Sequence, residues 1–265
     1  MSGTNRVAAN LNMLFTSLPL LQRYGAAASA GFKLVEVSIP YSEPAKKLRE
    51  AADEHNLKHT LINAPPGNWD AGFRGLASLK SQKNEFRNSL DTAIEYAKTL
   101  GCNFVHVMAG IPKTEDDVAN AHQTYVENVL FATEKLKEHD LFCLIEPINN
   151  YTIPGYHLNN YEDAMNLINS AKSNNLKIQY DTFHAQQING QIGATMRKLK
   201  DHIGYVQVAQ VPNRGACDTK GELDYHFIFE EISSINSDWI IGAEYLDANA
   251  HNESFKWVEN MGLRF

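Results

Sequence analysis

The sequence predicts an α/β fold in which strands and helices alternate eight times and close into a (β/α)₈ TIM barrel, with residues 1–265 forming a single domain. Short apolar runs alternate with longer amphipathic runs, and this alternation favours a parallel sheet. Four of the later apolar runs carry a carboxylate or an amide near their ends, and a barrel forms its active site where its strands end. No glycine-rich fingerprint follows the first strand, so an open dinucleotide-binding sheet is not indicated.

The strand candidates are short apolar runs, whereas the helix candidates carry apolar residues at helical spacing. Strands are predicted at 7–11, 34–39, 57–63, 103–109, 141–149, 176–181, 203–210 and 239–245. Helices are predicted at 18–30, 43–55, 83–100, 114–139, 161–171, 192–202, 227–235 and 253–261. Gly31 and Gly101 are typical helix terminators, and Thr114 before three acidic residues is a typical N-cap.

The polar residues at the ends of the last four strands are Glu146, Asp181, Gln207 and Glu244. They are separated by 35, 26 and 37 residues, and one strand–helix–strand step takes roughly 30 residues or more. The four side chains can therefore occupy equivalent places on neighbouring strands. Carboxylate and amide oxygens suit a hard divalent cation, so we predict a metal site for Mg²⁺, with Mn²⁺ as the alternative.

Glu146 and Glu244 are the predicted catalytic pair. One glutamate would remove a proton from the carbon next to a carbonyl group, and the same or the other glutamate would return it to the neighbouring carbon. A bound cation would stabilise the negative charge that develops on the substrate oxygens. This is enediolate chemistry, as in aldose–ketose isomerisation or epimerisation, and metal-assisted hydrolysis is the competing use of the same residues.

Three further residues are substrate-binding candidates. His184 lies three residues after Asp181, Arg214 lies in the loop 212–222, and His59 lies on the third strand. The alternatives are a capping histidine, an ordinary loop arginine and a histidine satisfied within the core. The segment 64–77 is rich in Pro and Gly but also carries aromatic residues, which indicates a lid or a substrate wall, or else a surface loop anchored by its tryptophan.

Composition narrows the function classes. The net charge of −7 argues against non-specific nucleic-acid binding, which needs a basic surface. The three cysteines are widely spaced and odd in number, which is typical of free thiols in a reducing compartment. The N-terminal stretch shows neither a signal-peptide pattern nor a membrane-spanning run. We therefore expect a cytoplasmic protein with no membrane partner, and the sequence leaves open whether it is a monomer or a homo-oligomer.

Several segments resemble the hydroxypyruvate isomerase family, within the xylose-isomerase-like TIM barrels. They are ANLNMLF at 9–15, HTLINAPPGNWDAGFRG at 59–75, IEPINNYTIPGYHL at 145–158, NLKIQYDTFHAQ at 175–186 and GYVQVAQVPNRG at 204–215. The resemblance implies an isomerase that interconverts hydroxypyruvate and 2-hydroxy-3-oxopropanoate (tartronate semialdehyde). It also implies a metal held by Glu146, Asp181, Gln207 and Glu244, with Glu146 and Glu244 as the acid–base pair. The partner would be a small 2-oxo acid.

One difference bears on metal affinity, since Gln is a weaker, neutral ligand, and a second keeps the exact substrate open. Related sugar epimerases usually have His where this chain has Gln207, and the segment ACDTKGE after Arg214 differs from the glycine-rich segment of bacterial relatives. The alternatives are a 2-oxo-tetronate isomerase, a ketose 3-epimerase, an endonuclease IV-like metal-dependent hydrolase, or a barrel without catalytic activity. A barrel without catalytic activity would have no reason to keep both Glu146 and Glu244.

Overall fold

The computed structural model describes residues 5–265, and these residues form a barrel of parallel strands surrounded by helices. The strand order around the sheet is β3-β2-β1-β9-β8-β7-β6-β5-β4. The strands are β1 Arg6–Asn10, β2 Leu34–Glu36, β3 Lys58–His59, β4 Leu61–Asn63, β5 Phe104–His106, β6 Phe142–Ile145, β7 Leu176–Asp181, β8 Ile203–Val208 and β9 Ile240–Ala243. The predicted TIM barrel is confirmed. Residues 1–4, the start of the predicted N-terminal region, lie outside the described part.

β3 and β4 are two parts of the third barrel strand, which the sequence predicts as one strand at 57–63. The strand is interrupted at Thr60. The Oγ1 of Thr60 lies 2.9 Å from the hydroxyl of Tyr205 and 3.1 Å from the carbonyl oxygen of Val35. Asn63 donates its backbone N–H to the carbonyl oxygen of Ser38 at 2.9 Å. Backbone bonds of this kind close the barrel between β2 and β4, so eight barrel strands remain.

The helices lie outside the barrel between the strands. They are α1 Leu20–Ser29, α2 Ala45–Glu54, α3 Lys83–Leu100, α4 Glu115–Lys137, α5 Tyr161–Ala171, α6 Thr182–Ile188, α7 Ile192–Leu199, α8 Tyr225–Ile235 and α9 Lys256–Asn260. Short 3₁₀ turns precede α3 and α9 at Lys80–Gln82 and Asn252–Phe255. No described helix, within residues 5–265, has the length and apolar character needed to cross a membrane.

Local chemistry explains where several elements begin and end. Thr114 accepts a hydrogen bond from the backbone N–H of Asp117, which confirms the predicted N-cap of α4. Gly101 ends α3 at φ 70°, a left-handed conformation that favours glycine. The predicted strand at 141–149 is shorter in the structure, because Pro147 has no N–H to continue the ladder. Helix α6 begins directly at the end of β7 and was not predicted, since seven residues are too few to show a clear helical period.

The barrel interior is closed at the end where the strands begin. Leu61, Leu144 and Tyr205 are fully buried there and pack with Phe104 and Ile240. The main core fills the space between the sheet and the helices. Apolar side chains thus occupy the lower interior, and the polar side chains lie above them at the ends where the strands finish.

Candidate active site

The structure brings all four predicted strand-end residues to the same end of the barrel. Asp181 and Gln207 are paired in register on β7 and β8, while Glu146 and Glu244 directly follow β6 and β9. All four are buried, with exposed fractions between 0% and 8%. Burial of three carboxylates at one end of the barrel is costly unless positive charge or protons compensate it.

Arg214 supplies positive charge to this cluster. Its Nη2 donates to Oε2 of Glu244 at 2.6 Å and to Oδ2 of Asp181 at 3.3 Å. The guanidinium also lies over the ring of Phe183, with Cζ 4.8 Å from the ring centroid. The loop 212–222 therefore places Arg214 between two of the predicted metal ligands, where its charge is shared with the carboxylates.

His184 lies on α6 and faces two carboxylates. Its Nε2 is 3.6 Å from Oδ2 of Asp181 and 3.7 Å from Oε1 of Glu146. The ligand atoms of these three residues all lie within 4.8 Å of one another, so this buried group could hold a metal ion. Burial lowers the pKa of His184 well below its usual value, and the charges of Arg214 and His106 act in the same direction. The ring is therefore neutral at physiological pH.

The hydrogen bonds of Asn149 assign the tautomer of His184. The Asn149 Oδ1 accepts the backbone N–H groups of Tyr151 and Thr152 at 2.9 and 2.8 Å, so its Nδ2 must be the group that lies 2.7 Å from Nδ1 of His184. An amide nitrogen can only donate, which makes Nδ1 of the imidazole the acceptor. In a neutral ring the proton is then on Nε2, which faces Glu146 and Asp181. This arrangement favours His184 as a hydrogen-bond donor over a metal ligand.

A chain of hydrogen bonds joins the two predicted catalytic glutamates beneath the site. Gln179 Nε2 donates to Oε2 of Glu146 at 2.9 Å and to Oε1 of Gln207 at 2.6 Å. Gln207 Nε2 donates to Oε1 of Glu36 at 2.8 Å. Asn10 Nδ2 then donates to the same oxygen of Glu36 at 2.7 Å and to Oε1 of Glu244 at 3.3 Å. Gln207 is thus a member of this network through both ends of its amide.

Glu36 was not among the predicted site residues, although it carries the same signal as the others. It is a carboxylate at the end of an apolar strand, and it is fully buried. Gln179 could not be recognised, because a glutamine inside a strand has no distinctive pattern. Gly242 makes room for Glu36, since a Cβ at this glycine would lie 2.4 Å from Oε2 of Glu36.

Burial governs the acid–base properties of the cluster. Burial, followed by the charges of Glu244 and Asp181, raises the pKa of Glu146 well above its usual value. Burial raises the pKa of Asp181 to about 7, although Arg214 beside it favours the charged form. Burial and then the charge of Glu244 raise the pKa of Glu36 to about 8. A glutamate with a raised pKa is a stronger base once it has lost its proton.

The donor set fits a hard divalent cation. Oε1 of Glu146 is buried and has no hydrogen-bond partner among residues 5–265. Carboxylates of Asp181 and Glu244 lie near it and now share Arg214. Buried carboxylate oxygens, one of them unpaired, are ligands of the kind that Mg²⁺ and Mn²⁺ prefer. Oε1 of Gln207 already accepts a bond from Gln179, so it is less available than the carboxylates.

The expectation that His59 contacts the substrate is corrected by the structure. The break at Thr60 turns His59 towards the surrounding helices, where Nε2 lies 2.8 Å from the hydroxyl of Tyr24 on α1. Burial lowers its pKa to about 4, so it is a neutral core histidine. His106 on β5 lies closer to the site, with Nδ1 3.6 Å from Oε2 of Glu146, and burial lowers its pKa to about 3.

A cavity of about 430 Å³ opens above the cluster. This volume lies in the range of roughly 300–1,000 Å³ that is usual for small-molecule sites. The predicted wall segment 64–77 contributes Trp69 and Arg74. The residues that line the cavity are Asn12, Met13, Ser38, Ile39, Asn63, Trp69, Arg74, Met108, Glu146, Ile148, Thr152, Ile153, His184, Arg214 and Glu244.

Known proteins are similar in sequence to this chain over nearly its full length. A protein of Caenorhabditis elegans that is provisionally named a hydroxypyruvate isomerase is 82% identical, with 100% of both chains covered. The hydroxypyruvate isomerase of Escherichia coli is 37% identical over 96% of this chain and 98% of its own. The 2-oxo-tetronate isomerase of Cupriavidus necator is also 37% identical, over 96% of this chain and 97% of its own.

A solved structure has the same fold at high similarity. The crystal structure from Brucella melitensis described as an AP endonuclease of family 2 superposes with a TM-score of 0.91 and 34% identity, and it covers 97% of this chain and 98% of its own. The family model for the xylose isomerase-like TIM barrel matches residues 24–261. The chain therefore belongs to the hydroxypyruvate isomerase family of the xylose isomerase-like TIM barrels.

Proposed function

We propose that this protein is an isomerase that interconverts hydroxypyruvate and tartronate semialdehyde through an enediolate. The observation that carries the proposal is that Glu146 and Glu244 line one small-molecule cavity and are joined by hydrogen bonds beneath it. The names of the relatives from Escherichia coli and Caenorhabditis elegans support the substrate. One glutamate would act as the base that removes a proton and the other as the acid that returns one.

We assign the two proton transfers to the two glutamates as follows. The Glu146 carboxylate removes a proton from C3 of hydroxypyruvate, and the electron pair moves into a C2–C3 double bond while negative charge develops on the C2 oxygen. Protonated Glu244 delivers a proton to C2, and the proton of the C3 hydroxyl passes to the C2 oxygen, so that C3 becomes an aldehyde and C2 a secondary alcohol. Exchange with solvent then removes the proton from Glu146 and returns one to Glu244. Nothing is oxidised or reduced overall, because the two carbons exchange oxidation states.

His184 stabilises the charge that develops in this reaction, and Arg214 holds one of the two glutamates in place. The Nε2 proton of His184 faces the cavity between Glu146 and Asp181 and can donate to a substrate oxygen. A neutral imidazole can donate this bond without protonating the substrate outright. Arg214 holds Glu244 through a 2.6 Å hydrogen bond, which keeps the carboxylate in place opposite Glu146.

We also propose that the site binds Mg²⁺, with Mn²⁺ as the alternative. Glu146, Asp181 and Glu244 would hold the ion, and Oε1 of Gln207 would join them if Gln179 moved away. A bound ion would supply Lewis-acid stabilisation of adjacent substrate oxygens. The support is the unpaired buried oxygen of Glu146 and the excess of carboxylates over cations in the cluster.

A 2-oxo-tetronate isomerase is the second candidate within the same chemistry. The relative from Cupriavidus necator is as similar as the one from Escherichia coli. The cavity also exceeds the needs of a three-carbon acid, because its volume of about 430 Å³ suits larger ligands. Both candidates act on a 2-oxo acid and use the same pair of glutamates. We expect the protein to be cytoplasmic.

A turnover assay tests the proposal. Purified protein is offered hydroxypyruvate, 2-oxo-tetronate, a ketose and an abasic-site DNA duplex, with and without chelator and added Mg²⁺ or Mn²⁺. We expect aldehyde formation from hydroxypyruvate, and its loss in Glu146→Gln and Glu244→Gln proteins. Folded wild-type protein that leaves hydroxypyruvate unchanged would overturn the assignment, and cleavage of the duplex would favour the hydrolase alternative.

A further inference from the structure

We infer that Arg74 is the receptor for the substrate carboxylate and so makes the site specific for 2-oxo acids over neutral sugars. This inference rests on the proposed function and deepens it. A 2-oxo acid brings a negative charge into a cavity that already holds Glu146 and Glu244. Like charges at close range repel strongly where water is excluded, so an anionic substrate needs a positive group of its own.

Two lining residues of the cavity carry a permanent positive charge, and one of them is already paired. Arg214 donates to the carboxylates of Glu244 and Asp181, and burial leaves it little room for another anion. The other is Arg74, on the segment 64–77. In the structure of residues 5–265, Arg74 has no ion pair with a carboxylate. Its charge is therefore available to a ligand.

Arg74 is held in a fixed position by its neighbours. Its Nη1 donates to the carbonyl oxygens of Trp69 at 2.9 Å and Phe73 at 2.7 Å. Its Cζ lies 3.8 Å from the centroid of the Trp69 ring, a stacked cation–π contact. These hydrogen bonds use only Nη1 of the guanidinium, so the N–H groups of Nε and Nη2 are available to a ligand. These two groups lie in one plane, side by side, and can bind both oxygens of a carboxylate.

The backbone that carries Arg74 is anchored to the barrel. Gly75 forms a bridge with Ala109, and its N–H bonds to the carbonyl oxygen of Pro66 at 3.0 Å. Gly75 has φ 113°, and a Cβ there would lie 2.3 Å from the carbonyl oxygen of Met108. Glycine is thus required where this wall meets the end of β5. A fixed backbone lowers the entropy cost of binding the anion.

The test compares two substrates that differ only in the proposed recognition group. Dihydroxyacetone is hydroxypyruvate with the carboxylate replaced by a neutral CH₂OH group. For Arg74→Gln we expect kcat/KM for hydroxypyruvate to fall by about 10- to 100-fold, mostly through KM, since a charged hydrogen bond is lost. Activity on dihydroxyacetone should stay within about twofold. Arg74→Lys keeps the positive charge but not the two parallel N–H donors, so its kcat/KM for hydroxypyruvate should be intermediate.

The matched control is Arg87→Gln, which removes an arginine stacked on Phe131 on the outer helices. It should leave both substrates unchanged. Calorimetry with glycerate, an unreactive anion, measures binding without turnover. Glycerate should bind the wild type, and its affinity for the Arg74→Gln protein should be about 10- to 100-fold lower. Equal losses for hydroxypyruvate and dihydroxyacetone, or unchanged glycerate affinity, would overturn the inference. A wild type inert to both substrates would overturn the proposed function, while glycerate binding would still decide the role of Arg74.

Discussion

Asn149 donates a hydrogen bond from Nδ2 to Nδ1 of His184 over 2.7 Å, and this bond decides which nitrogen of the imidazole carries the proton. The direction of the bond is set by two backbone N–H groups that hold the other end of the amide. As a result, the proton of His184 faces the carboxylates and the substrate cavity. A loop residue with no role in the chemistry thus sets the hydrogen-bonding capacity of the site.

Replacing Asn149 by Asp should reverse this tautomer. A carboxylate accepts a proton from Nδ1, so Nε2 of His184 becomes an acceptor and no longer donates towards the substrate. We expect kcat to fall by about 10- to 100-fold, the range seen when residues that orient a catalytic group are lost. Nitrogen NMR of labelled histidine would show the proton moved to Nδ1. Asn169→Asp, which adds the same charge on the exposed face of α5, should leave kcat and the tautomer as in the wild type.

Glu36 should be needed for stability because it accepts two buried amide donors. Glu36→Ala leaves Nε2 of Gln207 without its acceptor, whereas Nδ2 of Asn10 keeps its bonds to Oγ of Ser38 and Oε1 of Glu244. The expected loss is about 1–3 kcal/mol in the free energy of unfolding for each buried group left unpaired. Glu36→Gln keeps an acceptor oxygen in place and should lose less. Urea unfolding measures both, and equal stability of Glu36→Ala and wild type would contradict the account.

A side chain at Gly242 should destabilise the fold while Glu36 is present. A Cβ at Gly242 would lie 2.4 to 2.8 Å from the carboxylate atoms of Glu36 and force them to move. We expect Gly242→Ala to cost about 1–3 kcal/mol of unfolding free energy, as overpacking usually does. The cost should shrink in a Glu36→Ala background, because the clashing atoms are gone. A double-mutant cycle with no coupling between the two sites would show that Glu36 is not the obstacle.

His59 should make stability depend on pH. Burial lowers the pKa of His59 in the folded protein to about 4, below the value of about 6.5 for a solvated histidine, so the unfolded chain binds more protons between these limits. The contribution is fully present above pH 6.5 and is lost as pH falls towards 4, about 2 kcal/mol by pH 5. Between pH 7 and pH 5, the free energy of unfolding should fall less for the His59→Gln protein than for the wild type. His226→Gln, at an exposed position, should follow the wild-type slope.

Strand-end spacing was sufficient to predict the barrel and the carboxylates, because residues at the ends of parallel strands must converge. The pairing of Arg214 with Glu244 and the bond from Asn149 to His184 depend on loop conformation, which spacing does not encode. His59 was wrongly placed because the step at Thr60 interrupts the alternation on which the expectation relied.

The most direct test of the central claim is turnover of hydroxypyruvate in D₂O. If Glu146 and Glu244 transfer protons through an enediolate, the aldehyde product should carry solvent deuterium on C2, and recovered hydroxypyruvate should gain deuterium on C3. Glu146→Gln should slow both turnover and exchange by about 100-fold or more, because it cannot act as a base. Product that retains protium throughout, or a Glu146→Gln protein that turns over at the wild-type rate, would contradict the account.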